Sequence, residues 1–281
     1  MANTQELKKI ASQIRRDIIR MVTAAQSGHP GGSLSSADIF TALFFSEMKH
    51  DPAHWERTGK GEDMFFLSAG HISPVFYSTL ARSGYFPVKE LSTFRVFGSR
   101  LQGHPSIERG LPGVYQAAGS LGQGLSVAAG AAIGKKLNQE KNYVYVLLGD
   151  GESEEGQIWE AAMFAAHNKL NNLIAITDWN GQQIDGTTEA VMGIGDLSAK
   201  WKAFGWNVIV ADGHNMENIL EAFRQAKQME AQEKPIMILM KTVMGKGVDF
   251  MEGTCEWHGK APKAEQAEKA LAQLEETLGD F

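Results

Sequence analysis

The chain has 281 residues, 43% of them hydrophobic and 21% charged, with a formal net charge of −6. That is the length of one large α/β domain or two small ones, and it carries no basic field of the kind nucleic acid requires. No apolar run reaches the roughly 18 residues of a membrane-spanning helix, so neither nucleic acid nor membrane is an expected partner. The single cysteine, Cys255, excludes an intramolecular disulfide and an all-cysteine metal site. The polar start, Met1 to Ile14, has no secretory apolar core, and the cytoplasm is the expected compartment.

From Gln5 to Gln26, apolar residues at Leu7, Ile10, Ala11, Ile14, Ile18, Met21 and Val22 repeat at helical spacing and predict an amphipathic helix. Ser27 to Ser33 reads as a Gly-Pro turn, Ser36 to Met48 as a helix, and Met64 to Leu67 as a strand ending at Ser68-Ala-Gly-His71. Pro87 to Pro112 reads as a long functional surface loop. Gly119-Ser-Leu-Gly-Gln-Gly124 then leads into Leu125 to Gly134, whose small residues predict a tightly buried helix.

The clearest unit is βαβ. Val144 to Leu148 and Leu173 to Thr177 are continuous apolar runs of strand length, and Gln157 to Asn168 between them is helical. Trp206 to Val210, Met216 to Gln232 and Pro235 to Lys241 repeat the order strand, helix, strand. The expected architecture is a three-layer α/β domain around a mostly parallel sheet, filling residues 1–281, with 261–281 as a solvated surface helix.

In such a sheet, ligands collect beyond the carboxyl ends of the strands. Those ends are Gly149-Asp150-Gly151 and Trp179-Asn180-Gly181, which a crossover would set side by side. Asp150, Glu152, Glu154 and Glu155 would repel a bare diphosphate, and a divalent cation removes the conflict. Mg²⁺ takes one or two oxygen ligands from protein and the rest from phosphate and water, so Asp150, Asn180 and a nearby carbonyl suit a metal diphosphate. Taken singly, Asp-Gly and Asn-Gly are ordinary turn dipeptides. Five of the eight histidines also abut a glycine: His29, His71, His104, His214 and His258.

Together these residues resemble the N-terminal half of transketolase. The matching pieces are Ser27-Gly-His-Pro-Gly-Gly32, Ser68-Ala-Gly-His71, Gly103-His-Pro105, Gly119 to Gly124, Gly149-Asp-Gly-Glu152, Glu155-Gly156, Asn180, Lys241-Thr242, Gly245-Lys-Gly247 and His258-Gly259. The resemblance implies a thiamine-diphosphate-binding fold of the PP type, with thiamine diphosphate and Mg²⁺ (or Ca²⁺ or Mn²⁺) as cofactors. It places Asp150, Asn180 and the carbonyl of Gln182 on the cation, and Gly151 and His71 at the diphosphate. Gly119, Ser120 and Leu121 would lie near the aminopyrimidine, and His29, His104 and His258 would hydrogen-bond substrate hydroxyls as proton carriers of near-neutral pKa. Glu155, counted with the catalytic residues, and Glu160, counted with the cofactor residues, would lie near a subunit interface. Ser120 departs from the proline common in the family, as does Gly259-Lys-Ala-Pro262 from its usual small-residue run.

The implied reaction moves a two-carbon ketol unit from a ketose, such as a sugar phosphate, to an aldose. Full-length members carry a catalytic glutamate on a second, pyrimidine-binding domain. Phe281 falls where the linker to it would start, so the expectation is a separately encoded half working with a C-terminal subunit in an A2B2 heterotetramer, or a piece of a longer chain. A nicotinamide oxidoreductase is disfavoured by the missing Gly-x-Gly-x-x-Gly after a strand. A deoxyxylulose-phosphate-synthase-like enzyme, a 2-oxoacid dehydrogenase component and a non-catalytic relic remain as alternatives.

Overall fold

Apolar runs of strand length, all but the edge strand at 207–212 buried on both sides, become a five-stranded parallel sheet in the computed structural model, which describes residues 3–281. The strands are β1 (Met64–Leu67), β2 (Val144–Gly149), β3 (Leu173–Trp179), β6 (Asn207–Asp212) and β7 (Ile236–Lys241), in the order β1-β2-β3-β7-β6. Gln182–Gln183 (β4) and Gly186–Thr187 (β5) form a separate antiparallel hairpin.

Side chains alternate between the two faces, as a two-residue period demands. Tyr145, Leu147, Ile174, Ile176, Ile236 and Ile238 join one core. Helices α1 (Thr4–Ala25), α2 (Pro30–Ala42), α3 (Ser73–Arg82) and α8 (Met216–Gln228) cover that face. Val144, Val146, Leu148, Leu173, Ala175, Met237 and Leu239 join the other core, under α4 (Gly124–Leu137), α5 (Gly156–His167) and α7 (Leu197–Ala203). A short α6 (Thr188–Met192) follows the hairpin, and α9 (Ala264–Gln273) comes last. The three-layer α/β expectation holds.

The opening helix also forms as predicted. Asn3 and Glu6 make a reciprocal capping box, and Gln26 ends the helix in the left-handed region. Three expectations are corrected. The Ser27–Ser33 turn is shorter, because Pro30 starts α2 at the position where its fixed φ suits a helix. The next two glycines are packing residues: a Cβ on Gly31 would lie 2.7 Å from Met244, and one on Gly32 would lie 2.8 Å from Ile72.

The helix after Gly124 is buried on one side only. Leu125, Ala128, Ala129 and Ala132 face the core, while Val127 is 44% and Leu137 is 78% exposed. Gly130 and Gly134 face open space. The C-terminal segment is helical only over α9, a mostly exposed surface helix that turns Ala267 and Ala270 inward. Its last residues return to α1, where Arg16 pairs with Asp280 at 2.7 Å.

A second buried ion pair joins α1 to α3. Asp17, wholly buried, accepts from Ser78 Oγ at 2.7 Å and from Arg82 Nε and Nη2 at 2.9 Å each. Removing one partner leaves an uncompensated buried charge. Arg82→Ala should cost about 3–5 kcal/mol in urea unfolding, whereas a loss under about 1 kcal/mol would make the pair equivalent to an exposed one.

Candidate active site

The register of the central strands puts Gly149 opposite Asp178 and Trp179 opposite Lys241. Asp150 and Asn180 therefore leave neighbouring strands at one edge of the sheet. Asp150, 1% exposed, accepts from Gly151 N at 2.8 Å and Gly181 N at 2.5 Å. Burial, and then the charge of Asp178, push its carboxyl up to about 7. Asn180 donates through Nδ2 to Asp178 Oδ2 at 2.9 Å and accepts at Oδ1 from Gln182 N at 3.0 Å.

Glu152 behaves differently from its acidic neighbours. It is 3% exposed and accepts from Ser68 Oγ, Gly122 N (2.8 Å) and Gly149 N (3.0 Å), bracing three segments together. Its expected part in repelling a diphosphate is thereby corrected: it serves the frame. Burial pushes its carboxyl up as well. Gly70 allows a close approach across this frame, since a Cβ there would fall 1.6 Å from Ala118 O. The loop carrying Gly119 and Leu121 is thus held beside His71.

Opposite the strand ends stands a wall of imidazoles. The ring of His29 lies 5.2 Å from that of His71, 5.6 Å from His258 and 6.4 Å from His104, and His71 and His258 stack at 5.1 Å. They come from four distant segments: the residue before α2, a 3₁₀ turn at Gly70–Ile72, the long loop before Pro105, and the turn after Cys255–Trp257. Nδ1 of His29 and of His258 are buried without a hydrogen-bond partner. Buried donors or acceptors left unpaired are costly, and a polar group in the cavity within reach of them would relieve that cost.

The expectation of near-neutral histidine pKa values is corrected. Burial, then neighbouring His258, Arg95 and His104, lower His29 to about 4. Burial, then His258, His29 and His104, lower His71 to about 3. His104 and His258 are lowered too, chiefly by burial. These rings are neutral near pH 7, each with one donor and one acceptor nitrogen.

Between the two walls lies a cavity of about 370 Å³. It is lined by His29, His71, His104, His258, Gly119, Leu121, Asp150, Gly151, Glu155, Asn180 and Gln182, so most predicted site residues converge. Ser120 and Glu160 are not among its lining; both are exposed, and Glu160 sits on α5. His214 stays outside, with Nδ1 3.0 Å from Asp38 and Nε2 accepting from Val243 N at 2.8 Å. Among the described residues no three His, Cys, Asp or Glu side chains form a metal cage.

Two participants escape a reading of the sequence alone. Asp178 extends a strand predicted to close at Thr177, and a carboxylate closing a buried apolar run is the available signal. Arg95, with a backbone φ of 59°, places its guanidinium where a Cβ on Gly103 would be 2.5 Å away. Nothing in its local sequence marks it.

A family model described as "Transketolase, thiamine diphosphate binding domain" matches residues 6–279. The chain is 43% identical to the 6-deoxy-6-sulfo-D-fructose transketolase subunit SqwG of Clostridium sp. (strain MSTE9), over 96% of each. It is 41% identical to an apulose-4-phosphate transketolase subunit of Phocaeicola vulgatus, over 94% of this chain and 92% of that one. Human transketolase is 39% identical over 96% of this chain, which spans 42% of that protein. The crystal structure of Campylobacter jejuni transketolase superposes with a TM-score of 0.90 at 35% identity, covering 97% of this chain and 43% of that one.

The lowered histidines make stability pH-dependent. An unfolded imidazole takes a proton near pH 6.5, while His29 and His71 resist it until about 4 and about 3. Their contribution is therefore harmless above pH 6.5 and destabilises the fold progressively as pH falls toward 3. The urea midpoint should drop between pH 6.5 and 4, and a His29→Asn/His71→Asn variant should lose part of that slope. An unchanged slope would show the imidazoles to be solvated.

Proposed function

The chain belongs to the transketolase family, spanning its thiamine diphosphate-binding domain, and from that membership we propose that it is the diphosphate-binding subunit of a two-subunit transketolase. The reaction is transfer of a two-carbon ketol unit from a ketose to an aldose. The observation that carries this reading is one cavity with oxygen donors at the strand ends and four neutral imidazoles opposite them.

The residues fit the cofactor. Asp150, Asn180 and the carbonyl of Gln182 would hold Mg²⁺, or Ca²⁺ or Mn²⁺ in its place, and the cation would neutralise the crowded carboxylates and accept diphosphate oxygens. Gly151 and His71 would border the diphosphate. Gly119, Ser120 and Leu121 would border the aminopyrimidine. When bound, thiamine diphosphate supplies the carbon nucleophile and electron sink for ketol transfer.

His29, His104 and His258 would orient donor and acceptor hydroxyls. As neutral rings they give and take hydrogen bonds, and each holds a proton at one nitrogen while accepting at the other. Similar subunits are named for a sulfonated fructose and for apulose 4-phosphate. The substrate class proposed here is accordingly a ketose with an anionic group.

The partner would be a C-terminal, pyrimidine-binding subunit, in an A2B2 assembly. Support comes from the relatives' names, which describe them as subunits, and from apolar side chains left on the surface of α4 and α5. There Val127, Leu137, Met163 and Phe164 are between 44% and 78% exposed, a proportion suited to burial against protein. Glu155 and Glu160 lie at the start and on the exposed side of α5, near that surface. No described helix is long and apolar enough to cross a membrane, and the cytoplasm is the proposed setting.

The native complex, purified with its partner, should transfer ketol units from a ketose phosphate to an aldose when supplied with thiamine diphosphate and Mg²⁺, and neither chain alone should do so. Activity of this chain by itself would contradict the proposal. At 100 times the dissociation constant, the cofactor should stabilise the wild type by about 2.7 kcal/mol. Asp150→Ala should show no such gain in thermal unfolding, and a retained gain would remove Asp150 from the cation site.

A further inference from the structure

We propose that Asp178 is a positioning residue that fixes the Asn180 amide so that its oxygen, and not its nitrogen, faces the cation. The inference rests on the cation reading above and deepens it. Asp178 is 3% exposed at the end of β3 and lines the same cavity. Among the described residues no Lys or Arg pairs with it, and its charge is met by three neutral donors. Ser35 Oγ donates to Oδ2 at 2.6 Å, Asn180 Nδ2 donates to Oδ2 at 2.9 Å, and Thr242 Oγ1 donates to Oδ1.

A carboxylate can only accept. Whatever lies against it must turn a donor toward it, and the Asn180 side chain can satisfy that demand only with its NH₂ group. Its carbonyl oxygen is then forced to the other side, where it takes the Gln182 N–H at 3.0 Å and keeps a lone pair for the cavity. A flipped amide would set oxygen against carboxylate on one side and NH₂ against N–H on the other. The two neighbours thus specify the same orientation, and the one that presents oxygen is the one a hard cation needs. Ser35 on α2 and Thr242 after β7 hold Asp178 itself, so the orientation of the ligand is tied to two further elements of the fold. Such outer partners of metal ligands typically contribute 10–100-fold to metal affinity.

The test is an exchange of the two side chains, read as binding of Mn²⁺ in the presence of thiamine diphosphate, with free Mn²⁺ counted by electron paramagnetic resonance. Asp178→Asn should weaken Mn²⁺ binding about 10–100-fold while circular dichroism shows the fold retained. The double variant Asp178→Asn/Asn180→Asp restores a donor and acceptor pair with the roles reversed and offers only oxygen to the cation, and it should bind Mn²⁺ nearly as tightly as the wild type. A residue that merely supports Ser35 and Thr242 would not be rescued by a change at position 180. Unchanged affinity in Asp178→Asn, or a double variant no better than it, overturns the inference. If Asp178→Asn does not fold, the double variant is compared with Asn180→Asp alone: tighter binding by the double variant supports the inference and equal binding overturns it. A wild type that binds no Mn²⁺ overturns the cation reading itself, and this inference with it.

Discussion

Two carboxylates, Asp150 and Asp178, sit at the ends of neighbouring parallel strands with almost no solvent around them. Burying charge without a counter-ion costs free energy unless donors surround it. Much of the local architecture follows from supplying those donors. The backbone after each strand turns so that Gly151 and Gly181 point their N–H groups at Asp150. Helix α2 delivers Ser35 to Asp178, and the segment leaving β7 delivers Thr242. Asp150 nevertheless remains raised to about 7, so the compensation is partial. On the function proposed above, a divalent cation and its diphosphate would complete it, and their binding would relieve a cost built into the fold.

The far wall of the cavity offers the opposite chemistry. Four imidazoles meet there, yet burial, reinforced at His29 and His71 by the neighbouring rings, keeps them neutral. Arg95, whose guanidinium packs against Gly103, adds a fixed positive charge that opposes protonation of His29 and His104. One side of the cavity therefore gathers carboxylate and amide oxygens and the other gathers neutral imidazoles.

The sheet and most helices are legible in the sequence because a strand buried on two faces must be a continuous apolar run, and Val144 to Leu148 and Leu173 to Thr177 are such runs at strand length, enriched in β-branched residues. The strand ends are legible for the same reason: once the strands are placed, Asp150 and Asn180 follow. The start of α2 is not, since Pro-Gly-Gly reads locally as a turn and only Met244 and Ile72, far away in the chain, explain the glycines. Composition also cannot distinguish a helix buried all round from α4, where alanine and glycine occupy both the covered and the open side. Asp178 is hidden by separation, because its partners Ser35 and Thr242 lie 143 and 64 residues away. The histidine turns are visible one by one, but their neutrality arises chiefly from burial in the folded chain, and His214 shares their local pattern while bracing Asp38 elsewhere.

Calorimetric titration of this chain with thiamine diphosphate, with Mg²⁺ present and then with Mg²⁺ removed by a chelator, tests the central claim most directly. The crowded carboxylates predict saturable binding with Mg²⁺ and none measurable without it, because the bare diphosphate would meet Asp150 and Asp178 with no cation between them. Binding of equal strength in chelator would contradict the claim that a cation bridges the strand ends to the cofactor.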